Sequence, residues 1–125
     1  MKLQALFAAA LLSLAAAGAD AACDRPTQVP PVVPNGAHTD EAGMKEAHDS
    51  IQAYVVQLEA YKACLKAQLD SAPADTSEEI KVTWMAQGDA AVDAANYLAN
   101  QFSYALKAYK EREKAATPAA PPSKP

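Results

Sequence analysis

Cys23 and Cys64, the only cysteines among 125 residues, constrain the fold of this chain more than any other feature. In an oxidising compartment an even cysteine count favours a disulfide. Closing that loop of about forty residues would stabilise a small domain by roughly 4 kcal/mol in the chain-entropy treatment. The alternatives are two free buried thiols and a catalytic redox pair. The chain has no Cys-x-x-Cys motif, which argues against the redox pair. We therefore predict a Cys23–Cys64 disulfide.

Residues 1–21 have the pattern of a removable export signal. A charged start at Lys2 precedes a nearly unbroken apolar run from Leu3 to Leu14, and Ala19 and Ala21 fit a small-residue cleavage site. This signal peptide predicts export, to the periplasm first and to the cell exterior as the alternative. No later run approaches the ~20 apolar residues that span a bilayer, so we expect no membrane span after cleavage.

The composition favours helices. Alanine is abundant beside Lys, Glu, Gln and Leu, the chain has only four glycines, and alternating β-branched residues are absent. About a hundred residues would remain after cleavage, enough for one domain at most. The formal net charge of -4 leaves no basic stripe for nucleic acid or anionic lipid. The sequence therefore predicts an all-α domain that binds no nucleic acid.

Residues 22–38 are predicted to form a proline-rich extended arm. Closely spaced prolines forbid a helix and favour a polyproline-like segment, which Asn35-Gly36 closes with a turn. Over sixteen steps such an arm reaches ~50 Å, whereas the helix from Thr39 to Cys64 covers ~38 Å. The arm is therefore long enough to fold back along that helix and bring the two cysteines together.

Residues 39–115 are predicted to form an antiparallel two-helix hairpin, with helices over about 39–70 and 76–114. In the first helix Met44, Ile51, Leu58 and Leu65 recur every seven residues, a pattern typical of a core-facing stripe. Thr39 is the expected N-cap of this helix, and Thr76 that of the second. A linker of about five residues makes the helices neighbours. Residues 116–125, which are rich in proline, are predicted to be a disordered tail.

Several short motifs are spread over most of the chain after the signal. They are Cys23-x-x-Pro26, Pro34-Asn35-Gly36, Met44, Tyr61-x-x-Cys64-Leu65 and Gln101-Phe102 followed by Leu106-Lys107-Ala108-Tyr109-Lys110. Together they resemble the motifs of small exported helical-hairpin proteins of Gram-negative bacteria that have no assigned function. In that group an aromatic-Asn pair stands where this chain has Gly88-Asp89, and Asn stands where it has Ser103. The resemblance implies a compartment and a shape, but no chemistry.

A weaker second stripe on the second helix suggests how the protein acts. It includes Tyr97 and Tyr104, and two helices alone rarely bury enough apolar area for a stable core. We expect this stripe to be an interface, either with an envelope protein or in a homodimer that forms a four-helix bundle. The main functional hypothesis is therefore an exported, non-enzymatic protein that acts by protein–protein contact.

A small copper-binding protein is the alternative hypothesis. Met44 and His48 are four residues apart on one helix, and His38 lies just upstream, so a thioether and two imidazoles could converge on Cu(I). Met44 also fits the apolar core stripe without any metal. We expect no resident cofactor, and we expect no enzyme because a hairpin lacks the concave scaffold that a catalytic nucleophile and base require.

Overall fold

The computed structural model describes residues 23–117, and these contain two α-helices and no strand. Helix α1 spans Glu41–Asp70 and helix α2 spans Glu78–Ala116. The all-α class and the two-helix hairpin are thereby confirmed. The predicted signal peptide (1–21) and most of the predicted tail lie outside the described residues. In the part of the chain that is described, neither helix combines the length and apolarity needed to cross a membrane.

The N-cap of helix α1 is Asp40, one residue after the predicted cap Thr39. The Asp40 carboxylate accepts a hydrogen bond from the Gly43 N–H at 2.8 Å, which makes Asp40 the N-cap. The Thr39 hydroxyl instead donates to the Asn35 carbonyl oxygen at 2.7 Å. Thr39 therefore belongs to the turn that ends the arm, and its side chain is not available to α1.

Helix α2 shows the same one-residue difference. Its N-cap is Ser77, whose hydroxyl accepts from the Ile80 N–H at 3.3 Å. The Thr76 N–H donates to the Pro73 carbonyl oxygen at 3.0 Å, so Thr76 is held in a turn of the linker. The prediction of Thr76 as the cap was wrong, because Ser77 offers an equivalent oxygen one position closer to the helix.

The core lies along the line where the two helices pack. Its buried side chains are Met44, Ile51, Tyr54, Leu58, Tyr61 and Leu65 from α1, and Ala91, Leu98 and Ala105 from α2. Large residues on α1 thus face mostly small ones on α2, and small residues let two helices approach closely. Leu65, near the end of α1, lies beside Gly88 early in α2, while His48 meets Phe102 further on, as antiparallel packing requires.

The arm is fastened at both ends. Cys23 and Cys64 form the predicted disulfide, with their Cα atoms 5.6 Å apart. At the opposite end, the Arg112 guanidinium donates to the Ala37 carbonyl oxygen at 3.3 Å. Between these points the Gln57 amide donates to the Gln28 amide oxygen at 3.1 Å. The arm therefore returns along the hairpin, as its length predicted, but it also reaches α2, which the length argument did not indicate.

Candidate functional site

The turn that ends the arm lies directly against the backbone of α2. The Ala37 N–H donates to the Asn35 side-chain oxygen at 3.0 Å, which closes an Asx turn around Gly36. A Cβ atom added at Gly36 would overlap the Ala105 carbonyl oxygen and lie 3.0 Å from the Tyr109 nitrogen. None of the glycines in the described part of the chain has a positive φ. Gly36 is therefore needed for this close approach and not for an unusual backbone conformation.

Two tyrosines of α1 lie beneath the arm. Tyr54 and Tyr61 are 8% and 7% exposed, although both carry a polar hydroxyl. Pro26 and both tyrosines line one small cavity of about 60 Å³. Pro30 and Pro31 line a second cavity together with Tyr54. The tyrosine faces of α1 thus provide the surface over which the proline-rich arm lies.

The second cavity is an open groove of about 430 Å³ between the arm and α2. Pro30, Pro31 and Val33 form its wall on the arm. Its other lining residues are Tyr54 from α1 and Ala94, Tyr97, Leu98 and Gln101 from α2. One of the two residues predicted as an interface, Tyr97, therefore lies in this groove, and Tyr104 follows about two turns further along α2.

The most exposed large apolar side chains of the described residues occur on the arm and on this stripe of α2. Val29 and Val32 are 86% and 85% exposed, Tyr104 is 69% and Tyr97 is 64% exposed. We call these four residues the arm-side surface. Sequence reasoning identified both tyrosines but missed the valines. The sequence did contain a signal for Val29 and Val32, which are three residues apart. Because a polyproline II helix has three residues per turn, this spacing places both valines on one edge of the arm.

The three candidate copper ligands have different environments. Met44 is 5% exposed and packs in the core. The His48 ring lies 5.7 Å from the Phe102 ring, and its Nδ1 is 3.2 Å from an Asp49 carboxylate oxygen. His38 is exposed, and its backbone N–H donates to the Asn35 carbonyl oxygen. Residues 23–117 hold no group of three or more His, Cys, Asp and Glu side chains suited to a metal ion. Copper binding stays a prediction.

None of the described residues that line the groove is charged. The exposed Lys45 ammonium donates to the Asp49 carboxylate at 2.6 Å, and this hydrogen bond lowers the pKa of Asp49 and raises that of Lys45. Near the arm's turn, the Arg112 guanidinium lies 5.0 Å from the centre of the Tyr109 ring. Burial, followed by the Glu113 charge, raises the pKa of the Tyr109 phenol. The groove itself is lined by proline, aliphatic, amide and phenol groups.

Comparison of the chain with protein-family models, curated proteins and solved structures found no match.

Proposed function

We propose that this chain is an exported, non-enzymatic protein that acts by protein–protein contact through the arm-side surface. The observation that supports this is the exposure of Val29, Val32, Tyr97 and Tyr104, which ranges from 64% to 86%. Fully burying one such side chain is worth about 1.5–3 kcal/mol. Large exposed apolar patches are typical of interaction surfaces, and the two segments that carry these side chains, the arm and α2, line one groove.

The lining of the groove supports contact with a protein and not chemical conversion. Its side chains are Pro, Val, Ala, Leu, Tyr and Gln, which offer apolar surface and uncharged hydrogen-bonding groups. Tyrosine is enriched in protein interfaces, where its ring is buried while its hydroxyl keeps a polar partner. A peptide segment with apolar side chains and free carbonyl groups matches this lining better than a charged small molecule does.

Export is proposed from the first 21 residues and agrees with the disulfide. Disulfides persist in oxidising compartments and are rare where thiol reductants are abundant. The Cys23–Cys64 bond fastens the arm that carries Val29 and Val32, so the surface depends on oxidation. The periplasm is the compartment that we propose, where the protein contacts an envelope protein or a second copy of itself.

Capture of partners by surface variants tests this proposal. A tagged chain, exported by its host, is crosslinked in cells and compared with a variant that carries Val32→Ser and Tyr97→Ser. Val56→Ser is the matched control, because Val56 is 56% exposed and lies about 180° around α1 from the core-facing residues. We expect the double variant to lose crosslinked partners that the control retains. Equal crosslinking by all three proteins would contradict the proposed surface.

Localisation needs a separate measurement. Cell fractionation, combined with mass spectrometry of the purified chain, should find it outside the cytoplasm with residues 1–21 removed and both cysteines oxidised. A cytoplasmic chain that keeps its first residues would refute export, whatever the crosslinking result.

A further inference from the structure

The two exposed tyrosines of α2 repeat the spacing of the two that lie beneath the arm. Tyr54 and Tyr61 are seven residues apart on α1, and so are Tyr97 and Tyr104 on α2. Seven residues make about two helical turns, so each pair presents two rings along one side of its helix. The first pair is 8% and 7% exposed under a proline-rich segment. The second pair has the same arrangement and is open to solvent.

The groove beside the second pair has the chemistry of a polyproline II binding site. Proline-rich segments bind in aromatic-lined grooves because their preformed backbone loses little entropy on binding. Here one wall carries Tyr97, and the other carries Pro30 and Pro31. Gln101 lies in the same groove, between Tyr97 and Tyr104 in sequence, and its amide can donate to the unpaired carbonyl groups of such a segment.

Residues 118–125 of this chain have the matching composition. They read Pro-Ala-Ala-Pro-Pro-Ser-Lys-Pro and contain two consecutive Pro-x-x-Pro repeats. Three residues per turn would place the two prolines of each repeat on one edge of a polyproline II helix. The segment carries Lys124 and no acidic residue, whereas the exposed Asp93 lies one turn from Tyr97 on α2. The charges of Lys124 and Asp93 are complementary.

Length decides which copy of the chain can supply the segment. Along α2, Thr117 lies ~20 Å from Tyr104 and ~30 Å from Tyr97 at 1.5 Å per residue. Eight residues in polyproline II form reach about 25 Å. Residues 118–125 of the same molecule can therefore reach Tyr104 but not both tyrosines. The same residues of a second molecule have no such restriction.

We propose that the groove between the arm and Tyr97, extended along α2 to Tyr104, binds residues 118–125 of a second copy of this chain as a polyproline II segment. This inference rests on the proposed function, because it names the partner of the arm-side surface. In the dimer each copy supplies one segment and one groove, so both grooves are filled and the assembly is closed.

The solution mass of the chain, purified after export, tests the inference by analytical ultracentrifugation. We expect a monomer–dimer equilibrium with a Kd between about 1 µM and 1 mM. Replacing all four prolines of residues 118–125 by alanine should weaken dimerisation at least about tenfold, which corresponds to 1.4 kcal/mol. Combined Tyr97→Ser and Tyr104→Ser substitutions should have the same effect. Val56→Ser, on the opposite face of α1, should leave the Kd unchanged.

Mixing the two defective proteins gives a further readout. The proline variant retains its groove and the tyrosine variant retains its segment, so a mixture restores one of the two contacts. We expect the mixture to contain heterodimers at concentrations at which neither variant alone forms a homodimer. A synthetic peptide of residues 117–125 should also shift the amide NMR signals of residues 94–104 in the proline variant, in which residues 23–117 are all unchanged.

Several results would overturn the inference. These are a monomer at all concentrations up to about 1 mM, a proline variant that dimerises like the unaltered chain, and peptide-induced shifts outside the groove. The inference would also be refuted by intramolecular binding. Its sign would be a difference in the NMR signals near Tyr104 between the unaltered chain and the proline variant that does not depend on protein concentration. The proposed function can hold even if the dimer inference fails. It is supported if the variant with Val32→Ser and Tyr97→Ser loses crosslinking to an envelope protein while the chain itself is a monomer.

Discussion

Replacing Gly36 by alanine tests whether the arm must touch the backbone of α2. The added Cβ would overlap the Ala105 carbonyl oxygen and lie 2.6 Å from the Ala105 carbonyl carbon. Ordinary contact begins near 3.4 Å, so the turn has to retreat by about 1 Å or more, because a packed helix backbone yields little. Such overpacking typically costs about 1–3 kcal/mol. The retreat also lengthens the hydrogen bond from Arg112 to Ala37, which is 3.3 Å before the substitution.

Gly88 provides the matched control within the same chain. It is also buried, but its added Cβ would lie 3.8 Å from a Lys62 carbon and 4.0 Å from a Leu65 carbon, both ordinary contacts. Gly88 lies inside α2, where alanine is favoured over glycine by up to about 1 kcal/mol. The same substitution should therefore destabilise the protein at position 36 and stabilise it at position 88.

Thermal unfolding, followed by circular dichroism on the oxidised protein, measures both effects. At about 4–8 °C per kcal/mol for a domain of this size, Gly36→Ala should lower Tm by at least about 4 °C. Gly88→Ala should raise Tm by a few degrees, up to about 8 °C. Refutation would be a Gly36→Ala protein as stable as the unaltered chain, or a Tm shift of the same sign at both positions.

Three further predictions follow from other contacts. Replacing Cys23 and Cys64 by serine should lower the free energy of unfolding by about 4 kcal/mol, measured by denaturant titration, and a loss below about 1 kcal/mol would contradict the loop-closure argument. The hydrogen bond from Lys45 lowers the pKa of Asp49 below its ordinary value of 3.8. The stabilisation from this hydrogen bond is therefore complete above pH 3.8 and is lost as the pH falls through the lowered pKa. NMR titration of Lys45→Ala should show that pKa rising back towards 3.8, and an unchanged value would disprove the coupling. The copper hypothesis predicts that His48→Ala weakens Cu(I) binding, and equal binding by both proteins, or none, eliminates that site.

Local chemistry was sufficient for the helices and the disulfide. The seven-residue recurrence from Met44 to Leu65 predicted the buried stripe of α1, and all four residues of that row are buried. Chain length predicted that the arm could bring Cys23 to Cys64. These features depend on helical periodicity and on the reach of the backbone, which a sequence contains directly. The caps were misplaced by one residue, because neighbouring oxygens compete and the adjoining turns decide between them.

Only the tertiary structure showed what covers one pair of tyrosines and leaves the other pair open. Tyr54 and Tyr61 have the same spacing as Tyr97 and Tyr104, yet one pair is buried and the other is exposed. The buried pair packs against α2 in the core and lies beneath the arm, and the path of the arm also brings Gly36 against Ala105, far away in sequence. Periodicity along one helix shows which residues share a face, but it carries no information about which other segment of the chain will pack against that face.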